Sequence, residues 1–286
     1  MAAPPTAPGR PSRARRRAIA ALAILAVLLF GRGRADAWFF WPDGAERVFH
    51  APGEFGLVAE DCRIRTEDGV ALHGLMLKAT GPRHGIVVFC HGNAANVSLH
   101  LADVRWLPRC GFDVLLFDYR GYGHSEGTPT REGLVADALA AIDLASTHEP
   151  RRTLVFGHSL GGAIAILAAA ERPAVRALVV ESSFPRWRDA ARAQAPALAW
   201  LVPWLVSGGP EPIDALPRIA GRPLLVVHGD ADHILPLALG EELFRAAAEP
   251  KRFHRAHGSG HATPWRREGA AFEALVTDFF VDALAR

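Results

Sequence analysis

Lysine is almost missing from this chain: Lys78 and Lys251 stand against 30 arginines. Cysteine is scarce too, with Cys62, Cys90 and Cys110 the only three in 286 residues. Three scattered cysteines exclude a disulfide-stapled scaffold and a zinc site of CxxC spacing; at most one bridge can form. Cys90 lies in the apolar run Gly85–Cys90 and reads as a small buried hydrophobe. Neither HExxH nor the P-loop signature GxxxxGK occurs, and the 13 histidines are scattered, so no metal and no cofactor is expected. A large net charge is also lacking, at +2. Residues 1–34 hold seven arginines and no acid, which leaves 25 bases against 30 acids in the remainder. Charge therefore gives no reason to expect nucleic-acid binding. What is present is a chain half hydrophobic and 22% charged, with 27 Gly and 21 Pro. That composition excludes disorder, a collagen-like repeat and a multi-span membrane protein.

Long apolar runs are limited to one. Arg15–Arg17 precede the thirteen residues of Ala18–Phe30. A basic stretch before an apolar core of this length is how a secretory signal begins. Ala35-Asp36-Ala37 offers a cleavage site, but Arg32, Arg34 and Asp36 would crowd it. Thirteen helical residues reach ~20 Å, short of the ~30 Å hydrocarbon layer. Trp38, Phe39, Phe40 and Trp41 could form an interfacial belt, with the arginines snorkelling. The preferred expectation is an uncleaved signal anchor over residues 1–37, with the region 38–286 outside the cytoplasm, on the periplasmic side of a bacterial inner membrane. A cleaved signal, or a non-targeting helix in a cytoplasmic chain, are the alternatives.

Beyond residue 38 the pattern alternates. Arg63–Thr66 and Val70–Lys78 flank the turn Glu67-Asp68-Gly69 and predict an antiparallel hairpin. Short apolar runs follow at Gly85–Cys90, Asp113–Phe117, Thr153–Phe156, Ala177–Glu181 and Leu224–His228, with a weaker one at Lys251–Ala256. Helical patterns separate them at Leu99–Arg109, Arg131–Thr147, Leu160–Glu171, Arg186–Val206, Leu237–Ala248 and Pro264–Arg286. Apolar strands alternating with helices predict an α/β fold whose mostly parallel sheet is covered on both faces. No linker divides the region, so it reads as one domain.

The pattern G-x-S-x-G occurs twice. A nucleophilic serine in this motif needs a strand, a sharp turn and a helix, so that its oxygen is exposed and the next N–H points at a developing oxyanion. Gly123-His124-Ser125-Glu126-Gly127 leads into Thr128-Pro129, with no helix before about Arg131. Gly157-His158-Ser159-Leu160-Gly161 follows the strand directly and opens a helix. Ser159 is therefore the candidate nucleophile, and Ser125 reads as a loop serine making local hydrogen bonds.

A nucleophilic serine needs a histidine base and an acid to orient it, here in the chain order Ser, Asp, His. After the strand at Leu224–His228, Asp230 and Asp232 both qualify as the acid. His254, His257 and His261 compete as the base. His254 sits within a strand pattern. His261 ends the flexible Gly258-Ser259-Gly260 loop, where a base can be presented.

Six blocks in this order carry a resemblance. They are Cys90-His91-Gly92-Asn93-Ala94-Ala95-Asn96, Phe117–Ser125, Gly157–Gly162, Glu181-Ser182-Ser183-Phe184, His228-Gly229 with Asp232 and Leu235-Pro236, and Gly258–His261. From about Phe40 onward the chain resembles α/β-hydrolase-fold serine hydrolases, close to a membrane-anchored group with little or no lid. It is also similar to serine aminopeptidases and monoacylglycerol-lipase-like enzymes. The resemblance implies Asp232 as acid and His261 as base. It implies an oxyanion hole from the N–H groups of Leu160 and Asn93, with Ala94 as runner-up for the second donor. The Asp118–Gly123 stretch looks like the family's structural corner and is left out of the chemistry. The implied reaction is acyl transfer through an acyl-enzyme.

The substrate is less legible. The interval Ser183–Arg222, where this fold inserts a lid, has 40 residues and must also supply the connecting helix, so a small or absent lid is expected. Ala197–Val206 is unusually apolar. It reads as a connecting helix packed on the sheet or, functionally, as an acyl-binding wall or membrane-touching lip. A small-molecule or lipid acyl ester or thioester is the preferred substrate class. A peptidase on the same scaffold and a non-catalytic scaffolding relative are the alternatives.

Overall fold

A computed structural model describes residues 39–206 and 208–286. The expected anchor over residues 1–37 lies outside the described residues. Among those described, no helix is long and apolar enough to cross a membrane.

The predicted hairpin forms from β2 (Ala59–Arg65) and β3 (Ala71–Leu77), paired antiparallel. Two-residue strands β1 (Trp41–Pro42) and β5 (Ala94–Ala95) pair in parallel as a separate ribbon, which the sequence pattern did not reveal. With β4 (Gly85–Cys90), β6 (Phe112–Phe117), β7 (Thr153–His158), β8 (Val175–Glu181), β9 (Leu224–Gly229) and β10 (Lys251–Ala256), the hairpin builds an eight-stranded sheet. Its order is β10-β9-β8-β7-β4-β6-β3-β2. The hairpin's two pairings are antiparallel and the rest parallel.

Strands buried on both faces explain the continuous apolar runs. Along β4, Ile86, Val88 and Cys90 face one layer with Leu134, Ala138 and Ile142 of α2 (Arg131–His148) and Ile164 of α3 (Leu160–Glu171). Val87 and Phe89 face the other, with Leu101 of α1 (Val97–Val104) and Phe272, Val276 and Phe280 near the C-terminus. The helix starts have local causes: Asn96 accepts from Ser98 N at 3.0 Å and Thr130 from Gly133 N at 3.0 Å, each satisfying an otherwise orphaned donor. All three cysteines are free, and burial pushes the Cys90 thiol up to about 12.

Three helical patterns need correction. The expected single helix Arg186–Val206 is α4 (Trp187–Gln194), a 3-10 turn at Pro196–Leu198 and α5 (Val202–Leu205). Pro196 forces Ala195 out of the helical region (φ −131°, ψ 63°), and Pro203 sits in the first turn of a new helix, where its missing N–H leaves no bond unmade. The rest of the lid interval holds α6 (Pro212–Ala215) and another 3-10 turn, so the described residues build no separate cap. Leu99–Arg109 becomes α1 and a 3-10 turn at Leu107–Cys110. After α7 (Leu237–Ala246), the C-terminal pattern splits into α8 (Pro264–Glu268) and α9 (Ala270–Leu284) at Gly269, whose φ is +53°.

Candidate active site

Ser159 stands between β7 and α3 with φ 55° and ψ −120°, a strained conformation for a residue with a side chain. Its neighbours hold it there. Ser159 N donates to Glu181 O at 2.8 Å, and Ser159 O accepts from Gly162 N at 3.0 Å and from Ser183 Oγ at 2.8 Å. The surrounding glycines are required by close approach. A Cβ at Gly161 would overlap Cys90 O, and one at Gly157 would overlap Gly161 O. These contacts press the start of α3 against the end of β4 and its following loop. As the first residue of α3, Leu160 has an N–H without an intrahelical acceptor.

The other serine has a different environment. Ser125 Oγ donates to Asp118 O at 2.7 Å and accepts from His73 N at 2.9 Å, which ties the turn to β3.

Of the two aspartates, Asp232 meets His261, the candidate base. His261 Nδ1 lies 2.8 Å from Asp232 Oδ2, and His261 Nε2 lies 2.9 Å from Ser159 Oγ. The side chain of Asp232 is fully buried, and its Oδ1 accepts from Ile234 N and Leu235 N, both at 2.9 Å. Burial alone would raise this carboxyl. The hydrogen bonds from His228 and His261, the charge of His261 and the Leu235 N–H outweigh it and hold the group well below the usual range. Asp230 instead accepts from Gly258 N (2.6 Å) and pairs with His257 (2.9 Å) and Arg255 (3.1 Å). It fastens the loop after β9 to the loop that carries His261. His257 is largely exposed, and His254 pairs with Glu268 at 2.8 Å.

With this geometry in view, comparison with known proteins is informative. The family model described as serine aminopeptidase, S33, matches residues 81–218. The chain is 32% identical over 256 residues to the YfhR protein of Escherichia coli K12, covering 86% of this chain and 87% of that one. It is 32% identical over 214 residues to the α/β-hydrolase domain-containing protein WAV2 of Arabidopsis thaliana, covering 69% of each. The chain belongs to the α/β-hydrolase family. Its fold is similar to that of the esterase Pf2001 of Pyrococcus furiosus, with a TM-score of 0.71, 20% identity, and coverage of 85% of this chain and 99% of that one.

Several residues of this α/β-hydrolase do more at the site than sequence reasoning assigned them. Ser182, at φ +48°, accepts on Oγ from Ala262 N at 3.2 Å and so holds the residue after His261. His228 Nε2 lies 2.8 Å from Leu235 O and 3.5 Å from Asp232 Oδ2, bracing the turn that carries the acid. Ser182 and His228 stand in blocks that carried the family resemblance, but the blocks do not say what those side chains touch.

On the α1 side of the sheet, ligand atoms of His100, Asp103 and His158 all lie within 4.8 Å of one another, the one cluster among the described residues with the makings of a metal site. Burial pushes His158 down to about 3, keeping it neutral, and its Nδ1 makes no hydrogen bond, lying 3.7 Å from Asp103 Oδ2. Glu181 is buried nearby. Burial first, then the carboxylates of Asp103, Asp232 and Glu268, push it up to about 8.

Proposed function

We propose that this protein is a serine hydrolase cleaving a carboxylic ester or thioester by way of an acyl-enzyme on Ser159. The observation that carries the reading is the unbroken relay from Ser159 Oγ through His261 to Asp232, at 2.9 and 2.8 Å, with the serine on a strained turn between strand and helix. His261 Nε2 takes the hydroxyl proton as Ser159 Oγ attacks the carbonyl carbon. Asp232 keeps the other ring proton on Nδ1 and stabilises the imidazolium. The N–H groups of Leu160 and Asn93 receive the oxyanion, and each such donor is worth ~3 kcal/mol of barrier. Collapse of the tetrahedral species expels the alcohol or thiol, protonated by His261. Water, activated by the same imidazole, then releases the acid and restores Ser159.

The substrate we favour is acyl or lipid-like. Trp41 and Trp200 are 59% and 62% exposed, and Ile234, two residues from Asp232, is 48% exposed. Exposed apolar surface at Ile234, beside Asp232 in the chain, suits an acyl chain better than a charged group. The family model's description favours a second reading, an aminopeptidase. A substrate screen separates them. The hydrolase as proposed turns over p-nitrophenyl acyl esters and leaves aminoacyl-arylamides intact. Amine release without ester turnover would make it a peptidase, and turnover of neither would support a non-catalytic scaffold.

We further propose that Ala18–Phe30 anchors the chain, with the catalytic region outside the cytoplasm. This rests on the apolar run and the arginines before it. The full chain should stay with membranes through alkaline carbonate washing, and a chain starting at residue 38 should not. Release of both would defeat the anchor.

A further inference from the structure

Four consecutive carbonyl oxygens in the loop after β4 each accept from a side chain. Tyr119 Oη donates to His91 O at 3.3 Å and His91 Nδ1 to Gly92 O at 2.7 Å. Tyr122 Oη donates to Asn93 O at 2.9 Å and His100 Nε2 to Ala94 O at 3.0 Å. A trans peptide is planar, so the direction of each carbonyl sets the opposite direction of the next N–H. Holding these four oxygens therefore fixes where the N–H groups of this loop point. The loop also lies against the nucleophile turn, since a Cβ at Gly161 would come within 2.5 Å of His91 O.

Asn93 is gripped most firmly. Besides its main-chain oxygen, its Oδ1 lies 3.1 Å from Tyr122 Oη, and its Nδ2 donates to Phe39 O at 2.6 Å. Tyr122 itself is fully buried and packs edge-on against His91. Burial raises its phenol well above the ordinary value, so the hydroxyl remains a donor throughout the range of an esterase assay.

We propose that Tyr122 is a positioning residue for the oxyanion hole: its bonds to Asn93 O and Asn93 Oδ1 fix the Asn93–Ala94 peptide and the Asn93 side chain, while Gly92 O, held by His91 Nδ1, sets the direction of the Asn93 N–H. The Asp118–Gly123 stretch, set aside as a structural corner, then contributes to rate as well as to folding. Arg120 of the same stretch keeps the structural part, bonded to Asp137 at 2.9 Å and Asp68 at 2.7 Å. Tyr122 touches neither Ser159 nor His261 in any hydrogen bond described, so its effect must pass through the loop.

The inference rests on the serine-hydrolase reading, and the experiment keeps the two apart. Tyr122→Phe retains the ring and removes only the hydroxyl. With p-nitrophenyl butyrate, kcat should fall ~10–100-fold, below the ~100–1,000-fold cost of deleting a donor outright, while KM stays near wild type. Affinity for a trifluoromethyl ketone, whose hemiketal oxygen occupies the hole, should fall by the same factor. Arg120→Lys, in the structural part of the same stretch, should lower the melting temperature and change neither by more than about twofold. Asn93→Ala keeps the backbone donor but frees its side chain, so it should shift kcat and ketone affinity together, and it serves if Tyr122→Phe fails to fold. Wild-type kcat in Tyr122→Phe, or a lower melting temperature with unchanged kcat and ketone affinity, overturns the positioning role alone. A wild-type protein without ester turnover overturns the hydrolase reading and the inference with it.

Discussion

Ser159→Ala is expected to abolish labelling by a fluorophosphonate probe and to lower ester turnover by about a million-fold, the scale seen when a triad serine is removed. The effect is large because the hydroxyl that His261 Nε2 would activate is removed. Ser159 Oγ is the group 2.9 Å from its Nε2. The elbow exists for that oxygen: the strained φ of Ser159 and the side-chain-free contacts at Gly157 and Gly161 are all needed to present it. Alanine tolerates the same backbone no worse than serine, so the variant should fold. Ser125→Ala is the control. It removes bonds to Asp118 O and His73 N and should cost about 2 kcal/mol of stability, about 1 for each hydrogen bond, without changing the labelling. Labelling that persists in Ser159→Ala, or disappears only in Ser125→Ala, would refute the assignment.

Asp232→Asn is expected to lower kcat by about four orders of magnitude, as loss of the orienting carboxylate does in other triads. The asparagine oxygen can still accept from Ile234 N and Leu235 N, so the turn survives. Its amide then presents N–H toward His261 Nδ1, which favours the tautomer with the proton on Nε2, where it cannot accept from Ser159. Asp230→Asn should leave kcat near wild type and loosen the loop at Gly258. A loss of kcat confined to Asp230→Asn would reverse the assignment of the acid.

The same pair carries a pH signature. The carboxyl of Asp232 is lowered in the folded state relative to an unfolded value of ~3.9. Its contribution to stability is therefore fully present above that value and is lost as pH falls toward the folded one. The difference in melting temperature between wild type and Asp232→Asn should be constant from pH 7 to 5 and shrink below pH 4. A difference independent of pH down to 3 would show that the carboxylate is not specially stabilised.

How much of this was legible depended on the distance between cause and effect. Ser159 could be told from Ser125 by what immediately precedes and follows each serine, because an elbow is a local object of strand, turn and helix. The sheet's strands could be read because burial on both faces leaves continuous apolar runs. The helix read over 186–206 failed because apolar content outweighed Pro196 in the pattern, whereas the backbone breaks there; Pro203, expected to kink or end it, instead lies in the first turn of a new helix.

Asp230 and Asp232 are two residues apart on one turn, and composition treats them alike. Only the folded chain sends one toward Arg255 and His257 at the surface and buries the other against His261, 29 residues later. The link from Tyr122 to Asn93 spans 29 residues as well, and that from Ser182 to Ala262 spans 80. The sequence by itself determined the fold class, the strands of the main sheet and the strand–turn–helix at Gly157–Gly161, since each follows from periodicity or from neighbours within a few residues. Tertiary structure decided which aspartate faces which histidine and what holds the loop proposed to bind the oxyanion. Hydrogen bonds of that kind depend on where distant segments meet, and a linear pattern does not encode the meeting point.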